Sequence, residues 1–193
     1  MPREARMKRL AWSLAGILLV GIGAGTAVVF GGLYDVGATS PHWRLTYRVL
    51  ETARFHSIRH HAEGITTPVD LETQARLVGG ASHFSTHCAS CHSAPGVEAE
   101  DMAEGMYPKP PVLNDVAQRY TQGELFWILK HGIKMSGMPS WADHGDDDLW
   151  NIVAFLKKLP GMNSSDYQAL VAQAGAAGGH HMHHDMDMPM PRQ

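Results

Sequence analysis

The hydrophobic pattern opens with an unbroken block. Residues 10–30 run 21 positions without a charge. At ~1.5 Å per residue, a helix of that length reaches about 32 Å, enough to cross a hydrocarbon core of ~30 Å. A short Gly-containing stretch, 31–40, follows. The pattern then changes to helical spacing. Leu45, Val49 and Leu50 recur on one side of a segment that Pro41 opens and that runs toward Ala62. The other side carries Arg44, Arg48, Arg54 and Arg59 with His56, His60 and His61. This amphipathic, locally basic helix suits either an anionic lipid surface or the domain that follows it. Adjacent helical residues diverge, so His60 and His61 chelate poorly and read as surface histidines.

Residues 64–68 interrupt the pattern, and Asp70 then stands where a helix N-cap belongs, ahead of Leu71, Ala75 and Val78. This helix leads to Cys88. A loop rich in Pro95, Pro108, Pro110 and Pro111 comes next. Thr121-Gln-Gly-Glu124 is a capping box, opening a helix that buries Leu125, Ile128 and Leu129, with Phe126 and Trp127 alongside, until Gly132. The next helix starts near Asp146, with a face of Leu149, Ile152, Val153 and Leu156, and Pro160-Gly161 stops it. Asp146, Asp147 and Asp148 at its start and Lys157 and Lys158 at its end agree with the helix dipole. Residues 164–172 form a further short helix. No strand-like alternation of useful length and no repeat occur, so the fold class is all-α.

Charge sharpens the picture. Residues 1–9 carry Arg3, Arg6, Lys8 and Arg9 against Glu4, a net +3, while the whole chain is −3 with His neutral, so the remainder is −6. The positive flank places the N-terminus in the cytoplasm and everything after Phe30 outside, as a single-pass inner-membrane protein facing the periplasm. A cleaved signal peptide is the competing reading, with Val36 and Ala38 at its recognition positions, but its apolar stretch would be only about 7–15 residues. Gly21 and Gly25 are spaced to let two anchors pack weakly as a dimer, although glycine is common in membrane spans. No excess of Lys and Arg exists for a general nucleic-acid binder. Two Cys exclude a disulfide-rich scaffold and an all-Cys zinc site, whereas 13 His and 11 Met are abundant metal-binding side chains.

Cys88-Ala89-Ser90-Cys91-His92 reads C-x-x-C-H, the attachment sequence of covalent haem c. Two thiols on one helical turn can reach the vinyl groups along one porphyrin edge, and His92 can swing its imidazole under the iron. A thioredoxin-like pair needs a strand and a βαβ context that are missing here. Structural zinc needs two more close ligands. A thioether at the sixth iron position raises the reduction potential. Met138, between Gly137 and Pro139 and 46 residues after His92, is the first choice for that ligand, Met135 the second and His131 the third. Met102 and Met106 read as packing or surface.

This layout resembles the class I, mitochondrial-type cytochromes c, over about residues 71–161. The likeness is closest to single-haem, membrane-anchored bacterial members with the run Glu124-Leu-Phe-Trp-Ile-Leu-Lys-His-Gly-Ile-Lys-Met135. The resemblance implies a helical domain around one covalent haem, with its first and last helices crossed. That would place Phe84 and its neighbours against Trp150, Val153 and Ala154. It also implies a Pro carbonyl accepting from the ligand His, with Pro108, Pro110 and Pro111 all open. Trp127 and Trp141 are candidates to close the haem pocket.

The chain therefore divides into a basic N-terminus (1–9), an anchor or uncleaved signal (10–30), a linker with amphipathic helix (31–69), a cytochrome c domain (70–162), and a C-terminal helix and tail (163–193). With His92 and Met138 both on the iron, no site is open for substrate. The expected function is then a membrane-tethered electron carrier serving membrane or periplasmic redox proteins. A peroxidase or gas sensor would need a vacant position. Docking charges are Glu98, Glu100, Asp101 and Glu104, Asp143 with 146–148, or Lys109, Lys130 and Lys134 around the haem edge. The tail adds an alternative. His180, His181, Met182, His183 and His184, followed by Asp185, Met186, Asp187, Met188 and Met190, lack a core pattern and read as disordered without metal. Imidazole with thioether suits copper, so copper handling is the second functional expectation.

Overall fold

The computed structural model describes residues 3–177 and separates them into two units between Ser40 and Pro41. The first unit is α1 (Arg3–Phe30) and the turns after it. None of its helical residues is buried, and the helix is long and apolar enough to cross a membrane, a test that an export signal also passes. The His/Met-rich tail, with its proposed copper ligands, lies outside the described residues.

The second unit runs through α2 (Arg44–Ala62), α3 (Gln74–His87), α4 (Ala89–His92), α5 (Asp101–Glu104), α6 (Leu113–Arg119), α7 (Gln122–His131), a 3-10 turn at Ala142–His144, α8 (Asp146–Lys158) and α9 (Ser164–Ala177). Among the described residues there is no strand, only an isolated bridge between Ala94 and Val97. The fold is all-α, as the periodicity predicts.

Its centre is the crossing of α3 and α8. A Cβ added at Gly80 would lie 2.0 Å from the Asn151 carbonyl oxygen, so the two helices meet there backbone to backbone. Beside the crossing, Phe84 and Phe155 are both fully buried with ring centroids 4.9 Å apart. Trp150 shares this core and stacks on Phe126 of α7, at 4.3 Å and 15°. A second ring contact for Phe84 comes from Tyr167 of α9, edge-on at 6.4 Å. Helix α9 reaches past the expected 172 to Ala177, and its first half docks on the core through Tyr167 and Leu170, which are buried. Asn163 starts it, its Oδ1 accepting from the Asp166 backbone at 2.9 Å.

Three local readings change. The helix toward Cys88 begins at Gln74, not behind Asp70, because residues 68–73 fold as turns, with Leu71 N–H donating to Pro68 and Thr73 N–H to Asp70. Asp70 pairs with Arg76 instead, at 3.0 Å. The amphipathic helix starts at Arg44 and packs on α7: Ile58 is 1% exposed and joins the core, and Arg59 lies 3.6 Å from Glu124. Finally, the Pro-rich loop contains α6. Its Leu113, Val116, Ala117 and Tyr120 have helical spacing and face the core. Lys157 closes that helix by donating to the carbonyls of Ala117 and Tyr120 at 2.7 and 3.2 Å.

The capping box forms as read, with Thr121 N–H donating to Glu124 Oε2 at 2.8 Å and Glu124 N–H to Thr121 Oγ1 at 3.2 Å. α8 spans the expected residues, burying Leu149, Ile152, Val153 and Leu156.

Candidate functional site

The end of α3 and the single turn of α4 carry the thiols. Cys88 N–H donates to Phe84 at 3.0 Å, and Cys91 and His92 N–H both donate to the Cys88 carbonyl, at 3.1 and 2.9 Å. This turn holds both cysteines and His92 together. Ser93, at φ +57°, then takes the chain out of the helix. Cys88 is buried and Cys91 half-buried. Burial, reinforced by Cys91, pushes the Cys88 thiol up to about 12. Cys88 is therefore poorly ionised, and no strand precedes the pair among the described residues, unlike the βαβ setting of a thioredoxin-like dithiol.

His92 is fixed by one bond. Its Nδ1–H donates to the Pro111 carbonyl at 2.9 Å, which selects Pro111 from the three prolines and leaves Nε2 as the nitrogen available to a metal. Burial holds His92 below the ordinary imidazole value, against the opposing pull of Pro111. The ring is therefore neutral at pH 7, the form that binds metal.

The loop after α7 positions the methionines. Gly132, at φ +65°, ends the helix, and an added Cβ there would meet the Pro139 carbonyl carbon at 2.6 Å. Ile133 N–H donates to Met138 O at 3.1 Å, Met138 N–H to Ser136 Oγ at 3.2 Å, and Trp141 N–H to Leu129 O at 3.0 Å. The loop is thus tied back on α7 with Met138 packed against the core. Met135, at φ +60°, is 73% exposed. His131 is also exposed, against Trp127 at 4.9 Å. Met106, read as packing or surface, proves to be packing: an added Cβ at Gly137 would fall 2.8 Å from its Sδ. Met106 is half-buried, whereas Met102 is exposed. Gly137 was the sequence signal for this contact, since the missing side chain leaves space that the thioether occupies.

The two tryptophans differ. Trp127 packs on the α2 side, 5.6 Å from the His61 ring. Trp141 stands three residues after Met138, and its indole Nε1 is buried with no hydrogen-bond partner among the described residues. A buried N–H without an acceptor is costly. A carboxylate-bearing porphyrin would supply one, so the orphaned donor and the thiol, imidazole and thioether groups fit a haem.

Comparison with known families agrees. Residues 75–156 match the family model described as cytochrome C oxidase, cbb3-type, subunit III. This segment is a cytochrome c domain. Such a domain carries covalent haem c and has an electron-carrier role. No curated protein and no solved structure matches the chain.

Some of the charges considered for docking are paired within the domain. Lys109 binds both Glu104 oxygens at 2.6 and 2.7 Å, and Lys130 binds Asp146 at 2.6 Å. Two of the three lysines considered for docking are therefore neutralised locally.

Proposed function

We propose that this protein is a membrane-tethered carrier of single electrons, holding one haem c through Cys88 and Cys91, with His92 Nε2 and Met138 Sδ as axial ligands. The observation that carries the reading is the His92–Pro111 bond directly after the thiol pair: it aims a neutral imidazole that has no other described use. When bound, the haem supplies a one-electron redox centre. The chain's own work is to grip and insulate. Pro111 orients His92, the tied-back loop presents Met138, and Trp141 Nε1 offers a buried donor. Filling both axial positions leaves no open site for substrate, which favours outer-sphere transfer over peroxidase or gas-binding chemistry.

α1 keeps the domain at the outer face of the inner membrane, since the basic residues 3–9 stay on the cytoplasmic side. Tethering raises effective concentration at membrane partners. The matching family's printed name, an oxidase subunit, favours a terminal oxidase as acceptor.

The test is a spectroscopic redox titration of the haem-loaded wild type, Met138→Ala and Met135→Ala. Met138→Ala should lose the low-spin His/Met spectrum, fall in potential, and bind carbon monoxide in the ferrous state. Met135→Ala should match wild type. The reverse pattern would move the ligand to Met135, and gas binding by the wild type would sink the carrier assignment.

A further inference from the structure

Three histidines outside the haem-binding set converge on one spot. His83 and His87 lie one turn apart on α3, and His144 closes the 3-10 turn ahead of α8. One ligating nitrogen from each lies within 4.8 Å of the other two. The ring centroids are 6.1 Å apart for His83–His87, 5.7 Å for His83–His144 and 5.0 Å for His87–His144. We propose that His83, His87 and His144 form a binding site for a divalent cation of the zinc(II)/copper(II) class.

The chemistry is that of the donors. Three imidazoles with no thiolate suit zinc(II), copper(II) or nickel(II), with copper(II) the tightest by the general order of affinities. Three His and one open position is also a recurrent zinc arrangement. A tetrahedral ion with metal–nitrogen distances of ~2.0–2.1 Å needs its nitrogens roughly 3.4 Å apart. The gap from 4.8 Å is within reach of side-chain rotation on fixed backbones. Those backbones are fixed. His83 and His87 project from the helix that crosses α8, and His144 N–H donates to Trp141 O at 3.1 Å.

The surroundings fit as well. Asp148 Oδ1 lies 3.3 Å from His83 Nε2, near enough to orient that ring or to add an oxygen ligand. Trp141 backs the cluster, its ring 5.5 Å from His87 and 5.3 Å from His144. His83 and His144 are half-buried while His87 is exposed, so the ion has both a wall and an entry path. The site stands on α3 and the 3-10 turn alone and does not depend on the haem assignment.

The experiment uses the full chain with His180, His181, His183 and His184 all replaced by Ala, which removes the competing tail. Zinc(II) titration against a chromophoric chelator should show one equivalent bound. Adding His144→Ala or, separately, the exposed His87→Ala should weaken binding at least tenfold. X-ray absorption of the zinc-loaded chain should show three nitrogen neighbours of imidazole type at about 2.0–2.1 Å. Circular dichroism unchanged in the variants separates ligand loss from misfolding. Unchanged zinc uptake in both variants, or a zinc shell without imidazole, would overturn the site. The titration uses the haem-loaded chain and is read at the zinc, so its failure is distinct from failure of the electron-carrier reading.

Discussion

A single missing side chain sets the geometry of the core. At Gly80 an added Cβ would sit 2.0 Å from the Asn151 oxygen and 2.7 Å from Phe155 Cβ, and the backbone oxygen has nowhere to go. Gly80→Ala should therefore destabilise the domain by about 3 kcal/mol or more, as overpacking outweighs the ~1 kcal/mol gain in helix propensity. Gly79 is the control: its added Cβ meets only the Asn151 side chain, at 3.2 Å, and that side chain can swing aside. Denaturant midpoints should separate the two variants clearly, and equal midpoints would show that the helices slide apart at little cost. The same residue-by-residue logic distinguishes the methionines. Met138 and Met135 look alike in sequence, yet one packs on the core and the other faces solvent.

At the scale of elements, caps and ties decide where helices begin. The Thr121–Glu124 box satisfies two backbone donors at the start of α7, and Glu124 is only 9% exposed with Arg59 of α2 beside it. Thr121→Ala should cost about 1 kcal/mol, measured as a shift in denaturant midpoint with the haem spectrum retained. This box was legible because its residues are adjacent in the chain. The start of α3 was not, since Asp70 meets Arg76, which also reaches Asp147 and Asn151 of α8 at 3.3 and 3.1 Å. A cap chosen on local rules lost to an ion pair across the fold. Helix α6 was hidden for a different reason: prolines dominate the text before it, while the four core-facing residues after them carry the helical period.

For the molecule as a whole, stability at alkaline pH tests how α9 is docked. Tyr167 is 4% exposed, and burial raises its phenol above the ordinary value of about 10. An unfolded chain ionises this tyrosine near pH 10 while the folded chain resists, so its contribution is complete below about pH 10 and declines as pH rises toward the folded value. Wild type should lose more stability than Tyr167→Phe between about pH 10 and 11, and the two should run parallel below pH 9. Parallel curves throughout would mean that α9 opens without a cost to the core. The buried ring links Phe84 and Phe155 to α9, so the last helix is part of the domain rather than an appendage.

The sequence by itself determined the apolar N-terminal span, the all-α class, the capping box, the limits of α8 and the C-x-x-C-H turn. Each is written in residues close together in the chain, where periodicity and hydrogen-bond chemistry act directly. Tertiary structure alone decided that Pro111 holds His92, that α2 packs on α7, that Met106 fills the space left by Gly137, and that His144 joins His83 and His87. Those pairings bring together side chains far apart in sequence, and no local pattern encodes them because the crossing of α3 with α8 and the folding back of the Met138 loop create the distances.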